Sequence, residues 1–299
     1  VVSPRAAGES TADDLPGSDS GHRQPLPGRL AWHSVLAPFV LPMLFLLGLT
    51  LVFSLTSLDI AICGLFYDRD GGGWIHAREP FWQAVYDWGP LPGLCLGIAG
   101  LAIGLAAISI APLRKYQQSG FFLAALLALG PGLFVNGLLK PHWCRPRPHA
   151  TTAFGGAQPF VTVWHVAADT EGRSFPSGHA SMGFYLMAPA FLLYRRRRGL
   201  AWAFAALGIS AGLLLGAARI VQGDHFPSDV LWSAGMVWLS GLALSVLFHA
   251  AGRQRAAASL PRVYGRPTDA AANALDGIRT GAEEAAAAST VPGPRREAA

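Results

Sequence analysis

Arg219, His225 and Asp229 fall within one short stretch, Arg219-Ile-Val-Gln-Gly-Asp-His225-Phe-Pro-Ser-Asp229, between two long apolar runs. A guanidinium is a planar, permanently charged fork that suits phosphate oxygens. An imidazole with one nitrogen held by a carboxylate keeps the other free to attack phosphorus. If Pro227 and Ser228 open a helix, His225 stands just outside it and Asp229 one turn inside, near enough for that hold. Taken alone, these residues equally suit an interfacial loop whose polar side chains merely end two membrane helices.

Two further stretches decide between these readings. Asn136 and Lys140 are one turn apart at the end of an apolar run, and Pro141-His-Trp-Cys-Arg145-Pro-Arg147-Pro148 follows. A lysine at such an end ordinarily snorkels to the interface. Prolines on both sides of Arg147, however, hold its backbone extended and stiff, so its guanidinium has a fixed aim. The second stretch, Ser174-Phe-Pro-Ser177-Gly178-His179-Ala-Ser181, has the chemistry of a helix N-terminus, whose free N–H groups and dipole favour an anion. His179 is placed on the first turn, beside that anion.

The elements that must position these residues are membrane helices. The chain of 299 residues is 52% hydrophobic and only 14% charged, against roughly 25% charged in soluble domains. Its mean hydropathy is +0.35. Apolar runs of about 20 residues, the length that spans a bilayer, are expected at 35–55, 91–110, 121–139, 178–194, 200–217 and 230–250. Arg23 and Arg29, Arg114 and Lys115, the four arginines 195–198, and Arg253 and Arg255 flank these runs on one side, which the positive-inside rule makes the cytoplasm. The formal net charge of +5 is therefore a topology signal, not a nucleic-acid footprint. Lys140, Arg145, Arg147, Arg173 and Arg219 fall on the opposite side, where a bound anion explains them better.

The expected organisation is a cytoplasmic, disordered N-terminal tail over 1–30, a six-span domain over 31–250, and a largely disordered cytoplasmic C-terminal tail over 251–299. Two aromatic segments, 57–68 and 79–88, suit helices lying at the membrane surface, either as a lid over a lipid or as a belt that only anchors the protein. The loop 149–173, with His165, Asp169 and Glu171, is long enough to fold over the exterior mouth and shape substrate choice. The arginines 195–198 are read as a topology anchor touching anionic head groups. Three cysteines cannot make a disulfide framework. Cys63 and Cys144 could both face the exterior and pair, although a small buried thiol is the simpler reading of Cys63. With no CxxC and no HExxH, a zinc site has little support.

Taken together, Lys140-x6-Arg147-Pro148, Pro176-Ser-Gly-His179 and Arg219-x5-His225-x3-Asp229 resemble the three-part signature of the type 2 phosphatidic acid phosphatase superfamily. One departure is that members usually carry Ser before the arginine of the third motif, where this chain has Ala218, so one phosphate hydrogen bond is missing. The resemblance implies an all-α fold, a six-transmembrane helical bundle with the site at the exterior ends of the helices. It implies a phosphoric monoester hydrolase that uses no metal and no cofactor. His225 would be the nucleophile, forming a phosphohistidine, and Asp229 would fix its tautomer. His179 would be general acid and then base. Lys140, Arg147, Ser177, Gly178 and Arg219 would hold the phosphoryl oxygens.

Vanadium-dependent haloperoxidases share such a pocket but are soluble, so the spans favour a phosphatase. Its partner would be a phosphorylated membrane lipid in the bilayer, with no nucleic acid and no required protein partner. The Phe154-Gly-Gly loop and the Leu65-Phe-Tyr-Asp68 stretch resemble bacterial lipid A phosphatases, so lipid A is favoured. Undecaprenyl pyrophosphate, phosphatidylglycerol phosphate and phosphatidic acid stay open, as does a lipid phosphotransferase using the same site. A transporter with a basic pocket gives no reason for a His held by Asp opposite a second His. The expected setting is the bacterial inner membrane, with a periplasmic active site.

Overall fold

A computed structural model describes residues 32–259, apart from 168, 169 and 171. The expected N-terminal tail, 1–30, and residues 260–299 of the expected C-terminal tail lie outside the described residues. Most of the described residues are helical, and among them four helices are long and apolar enough to cross a membrane, five if the first is joined to its bent continuation.

Helix α1 (Trp32–Leu55) ends where Thr56 Oγ1 donates to Val52 O at 2.7 Å and accepts the Leu58 N–H at 3.4 Å, a side chain competing with the backbone ladder. The chain bends by 74° into α2 (Leu58–Gly64). A two-stranded antiparallel ribbon follows, β1 (Tyr67–Asp68) with β2 (Gly73–Trp74), pairing Tyr67 with Trp74. Helix α3 (Pro80–Trp88) is no separate surface helix: it leads across Gly89 and Pro90 into α4 (Leu91–Ser109), and the two make one 30-residue run. At 1.5 Å per residue that run is about 45 Å long, more than the ~30 Å hydrocarbon core, so one end stands proud of the apolar layer.

The next run, Ala111–Ala150, changes its winding along its length. A 3₁₀ turn (Ala111–Tyr116) leads to α5 (Gln117–Leu127), then to a wider π-helical stretch (Ala128–Leu139) and α6 (Lys140–Trp143). Pro131, which has no N–H, lies in the widened part, and Asn136 Nδ2 donates to its carbonyl at 2.7 Å. Helices α4 and α5 pack backbone to backbone. A Cβ on Gly120 would stand 2.5 Å from Gly100 O and 2.7 Å from Gly104 N, so only glycine permits this approach.

The expected fourth span, 178–194, is two short helices, α7 (Gly178–Tyr185) and α8 (Ala188–Leu193). Pro189 cannot donate to Tyr185 O, and bonds from Leu186 N to Gly183 O and from Met187 N to Phe184 O tighten the chain across the break. This pair is packed inside the bundle. Ala180, Phe184, Tyr185, Met187 and Ala188 form one core with Phe122 and Leu126 of α5 and Val230, Val237 and Leu244 of the last helix.

Helix α9 (Arg198–Val221) ends at Gly223, whose φ of +73° is the left-handed turn that closes a helix C-terminus. Helix α10 opens at Pro227 and runs to Ser259, nine residues into the expected tail, because the segment 251–259 is rich in strong helix formers. Outward faces carry exposed Leu41, Leu44, Phe45, Ile98, Ile108, Trp202, Leu213 and Leu247, as a lipid-facing bundle requires. The chain is a multi-pass, mostly helical membrane protein.

Candidate active site

The chain direction brings four helix ends together. The α6 region delivers Lys140 and the stretch to Arg147, α7 begins at Gly178, α9 ends beside Arg219 and α10 begins at Pro227. His225 sits in the connection between α9 and α10. Burial there is nearly complete, with 1% of the residue exposed. Its Nδ1 lies 3.5 Å from Asp229 Oδ2, an ion-pair distance on the long side for a hydrogen bond, which leaves Nε2 as the nitrogen turned to other partners. Burial pushes the His225 imidazole below its ordinary pKa, against Asp229, which raises it. The ring is therefore neutral near pH 7, and its second nitrogen keeps a lone pair.

Asp229 is wholly buried and saturated. Its Oδ1 accepts from Arg145 Nη1 at 2.6 Å, and its Oδ2 accepts from Ser174 Oγ at 2.5 Å and from the Phe226 N–H at 2.8 Å. As the sequence leads one to expect, Asp229 is on the first turn of a helix opened by Pro227 and Ser228.

The cations come together around one carboxylate. Arg147 Nη1 and Arg219 Nη2 each lie 2.6 Å from an oxygen of Asp224, the residue before His225. Arg147 has the extended backbone expected between its prolines, φ −76° and ψ 152°. Arg219 also donates from Nη1 to Gln222 Oε1 at 2.5 Å, while its buried Nε has no acceptor. A buried guanidinium N–H without a partner fits an anion binding beside it. Lys140 lies within electrostatic reach of Arg147 and Arg219.

His179 is on the first turn of α7, within electrostatic reach of Arg219, His225 and Lys140. Ser177 caps that helix, its Oγ accepting the Ala180 N–H at 3.4 Å, and Gly178 is buried as the first helical residue. Six of the eight residues named from the sequence are thus on or capping converging helix ends, and Arg147 and His225 stand in the connections beside them.

Sequence reasoning missed several others. Tyr86 of α3 stacks on His179 with ring centroids 4.6 Å apart and 20° between planes, and the Arg219 guanidinium stands 4.3 Å over the same ring. The one available signal was its place in an aromatic segment. Asp59 was missed as well, and Arg145, expected to face a bound anion, is instead buried in ion pairs with Asp59 and Asp229, in a network that Ser174 and Ser228 complete. Cys63 and Cys144 are unpaired. Cys63 is buried, and Cys144 Sγ contacts Pro141 O at 3.4 Å.

The loop after Arg147 is tied down. Val161 O accepts from Arg145 Nε and Val163 O from Trp143 Nε1, both at 2.8 Å. Phe154 packs against Tyr67 and Trp74, and Phe160 against Phe226. The segment after α2 and the loop after Arg147 therefore close on one another beside the site. Asp169 and Glu171 lie outside the described residues.

The profile of the PAP2 superfamily matches residues 121–253. The chain is 32% identical over 195 residues to a lipid A 4'-phosphatase of Francisella tularensis subsp. novicida (strain U112), across 64% of this chain and 87% of that one. It is 31% identical over 196 residues to a lipid A 4'-phosphatase of Rhizobium etli, across 62% and 67% of the two chains. Among solved structures, a transmembrane PAP2 type phosphatidylglycerolphosphate phosphatase from Bacillus subtilis is similar at 22% identity and a TM-score of 0.44, over 77% of this chain and all of that one.

Proposed function

The chain belongs to the PAP2 superfamily and is a membrane lipid phosphatase, a phosphoric monoester hydrolase, and from that premise we propose that it removes a phosphate from lipid A, the 4'-phosphate, through a phosphohistidine. The observation that carries the chemistry is the meeting of Arg147 and Arg219 on one point beside a buried, neutral His225 backed by Asp229. The substrate rests on the names of the relatives.

His225 Nε2 attacks phosphorus while the P–O bond to the sugar breaks. Lys140, Arg147 and Arg219 spread the charge on the phosphoryl oxygens, helped by the α7 N-terminus at Ser177 and Gly178. His179 protonates the leaving alcohol, then takes a proton from the water that attacks the phosphohistidine; the P–N bond to His225 Nε2 breaks, and inorganic phosphate leaves. Asp229 fixes the His225 tautomer and balances the positive imidazole of the intermediate.

The reading places the protein in the bacterial inner membrane with six spans, α7 and α8 together forming the fourth, both termini cytoplasmic and the site periplasmic. Its support is charge asymmetry. The arginines 195–198 lead into the first residue of α9, and Arg219 lies at that helix's other end, about 30 Å away at 1.5 Å per residue.

The test is phosphate release by purified protein in detergent with EDTA, on lipid A, undecaprenyl pyrophosphate, phosphatidylglycerol phosphate and phosphatidic acid. Release from lipid A that is lost in His225→Ala and His179→Ala is expected. Preference for another lipid would overturn the substrate, and transfer to an acceptor lipid with little free phosphate would overturn hydrolysis.

A further inference from the structure

Arg145 has the sequence context of a phosphate ligand but none of the geometry. It is wholly buried. Its Nη1 donates to Asp229 Oδ1 at 2.6 Å and to Ser228 Oγ at 2.8 Å, its Nη2 to Asp59 Oδ2 at 2.8 Å and its Nε to Val161 O at 2.8 Å. Phe226 lies against the guanidinium, with its ring centroid 4.4 Å away. All three nitrogens are committed to protein acceptors, in contrast to Arg147 and Arg219.

The second half of the network comes from α2, outside the segment that the family profile matches. Asp59 Oδ1 accepts the Ser228 N–H at 3.0 Å and Asp59 Oδ2 the Ser228 hydroxyl at 2.6 Å. Asp59 thus caps, from another helix, the first turn of the helix that carries Asp229, where a carboxylate also meets the positive end of the dipole.

We propose that Asp59 and Arg145 are positioning residues for catalysis, a buried brace that fixes Asp229 and through it the His225 ring. The inference rests on the phosphatase reading above. Three physical points carry it. With Oδ1 occupied by Arg145, the Asp229 carboxylate cannot turn, so Oδ2 is the oxygen that faces His225 Nδ1. A guanidinium on Oδ1 keeps Asp229 an anion, so it orients the imidazole without capturing its proton. Finally, a buried ion network is poor value for stability alone, because desolvation offsets most of the attraction. What this one offers instead is the net negative charge of one guanidinium between two carboxylates, which stabilises the positive charge that His225 acquires on phosphorylation.

The experiment compares wild type, Asp59→Asn, Asp229→Asn and the double variant on lipid A in detergent, with rates divided by the number of orthovanadate-binding sites to remove misfolded protein. Asp59→Asn should lower kcat about 10- to 100-fold, the range typical when a partner that orients a catalytic ligand is removed. KM should stay within about twofold, because the brace touches no phosphate ligand. In the Asp229→Asn background the same change should cost nothing more, since its effect passes through Asp229. Arg145→Lys, which keeps the charge but cannot span both carboxylates, should behave like Asp59→Asn. An unchanged kcat per site, a loss confined to KM, or an equal loss in both backgrounds would overturn the brace while leaving the phosphatase reading intact. A wild type inactive on every lipid would overturn that reading and the brace with it. Should Asp59→Asn lose its vanadate sites, Asp59→Glu, which moves the charge by one methylene, carries the same test.

Discussion

Replacing Tyr86 with Leu removes one ring that touches two site residues at once. The near-parallel stack on His179, 4.6 Å between centroids, contributes about 0.5–1.5 kcal/mol beyond area burial. The Arg219 guanidinium, 4.3 Å over the ring, adds about 0.5–2 kcal/mol depending on how dry the contact is. Tyr86 is half-buried, so the lower and middle parts of those ranges apply, and the two contacts together come to about 1–3 kcal/mol. Since each 1.4 kcal/mol is tenfold, kcat/KM should fall by about 5- to 150-fold in Tyr86→Leu. Tyr86→Phe keeps both ring faces and should stay within about twofold of wild type. The assay is phosphate release from lipid A and, in parallel, from a small water-soluble phosphate monoester. If Tyr86 orients His179 and Arg219, both substrates suffer alike. If it only anchors α3 among head groups, the lipid alone suffers. Activity of Tyr86→Leu within twofold of wild type, or a loss seen with lipid only, would refute the reasoning.

Burial of His225 sets a pH window. The nucleophile must be unprotonated, and its folded pKa lies below the ordinary value near 6.5, so the acid limb of the kcat/KM profile should fall below about pH 6.5. The same shift makes a neutral His225 stabilising above that pH. This contribution is lost as pH falls toward the folded pKa, because the unfolded chain takes the proton first. An acid limb at or above pH 6.5, with a thermal midpoint flat from pH 7 to 5, would contradict this. Asp224 occupies the Arg147 and Arg219 donors that a phosphate would use, so Asp224→Asn should tighten orthovanadate inhibition by about 5- to 20-fold, allowing for the exposure of Arg147. Weaker inhibition would show instead that Asp224 holds the arginines in place. Gly120→Ala forces a Cβ onto the α4 backbone and should destabilise by about 1–3 kcal/mol, read as a lower unfolding midpoint in detergent. An unchanged midpoint would mean that α4 and α5 separate freely.

What could be read from the sequence was local. Arg219, His225 and Asp229 share a single helix–turn–helix corner, and Gly223 with Pro227 fixes where that corner turns, so spacing alone placed the imidazole against the carboxylate. Continuity was less legible than position: the expected ends of the fourth apolar run, 178 and 194, fall within a residue of the helix ends, but Pro189 divides the run in two. The aromatic segment 79–88 looked like a surface helix, and only its continuation through Gly89 and Pro90 into α4 brings Tyr86 over His179.

The positive charges on the unexpected side carry the sharper lesson. They implied a bound anion, and Arg147 and Arg219 meet on the carboxylate of Asp224, which holds one nitrogen of Arg147 and leaves the Arg219 Nε without an acceptor. Arg145 was counted with them, because the same proline frame surrounds both arginines of Arg145-Pro-Arg147-Pro148. Its anions are instead the protein's own, Asp59 and Asp229, which stand 86 and 84 residues away in the chain. No spacing rule reaches that far. What separates the two arginines is burial, 0% of the Arg145 side chain exposed against 35% for Arg147, since a guanidinium cut off from solvent needs all its acceptors from the fold and one that waits for substrate cannot have them.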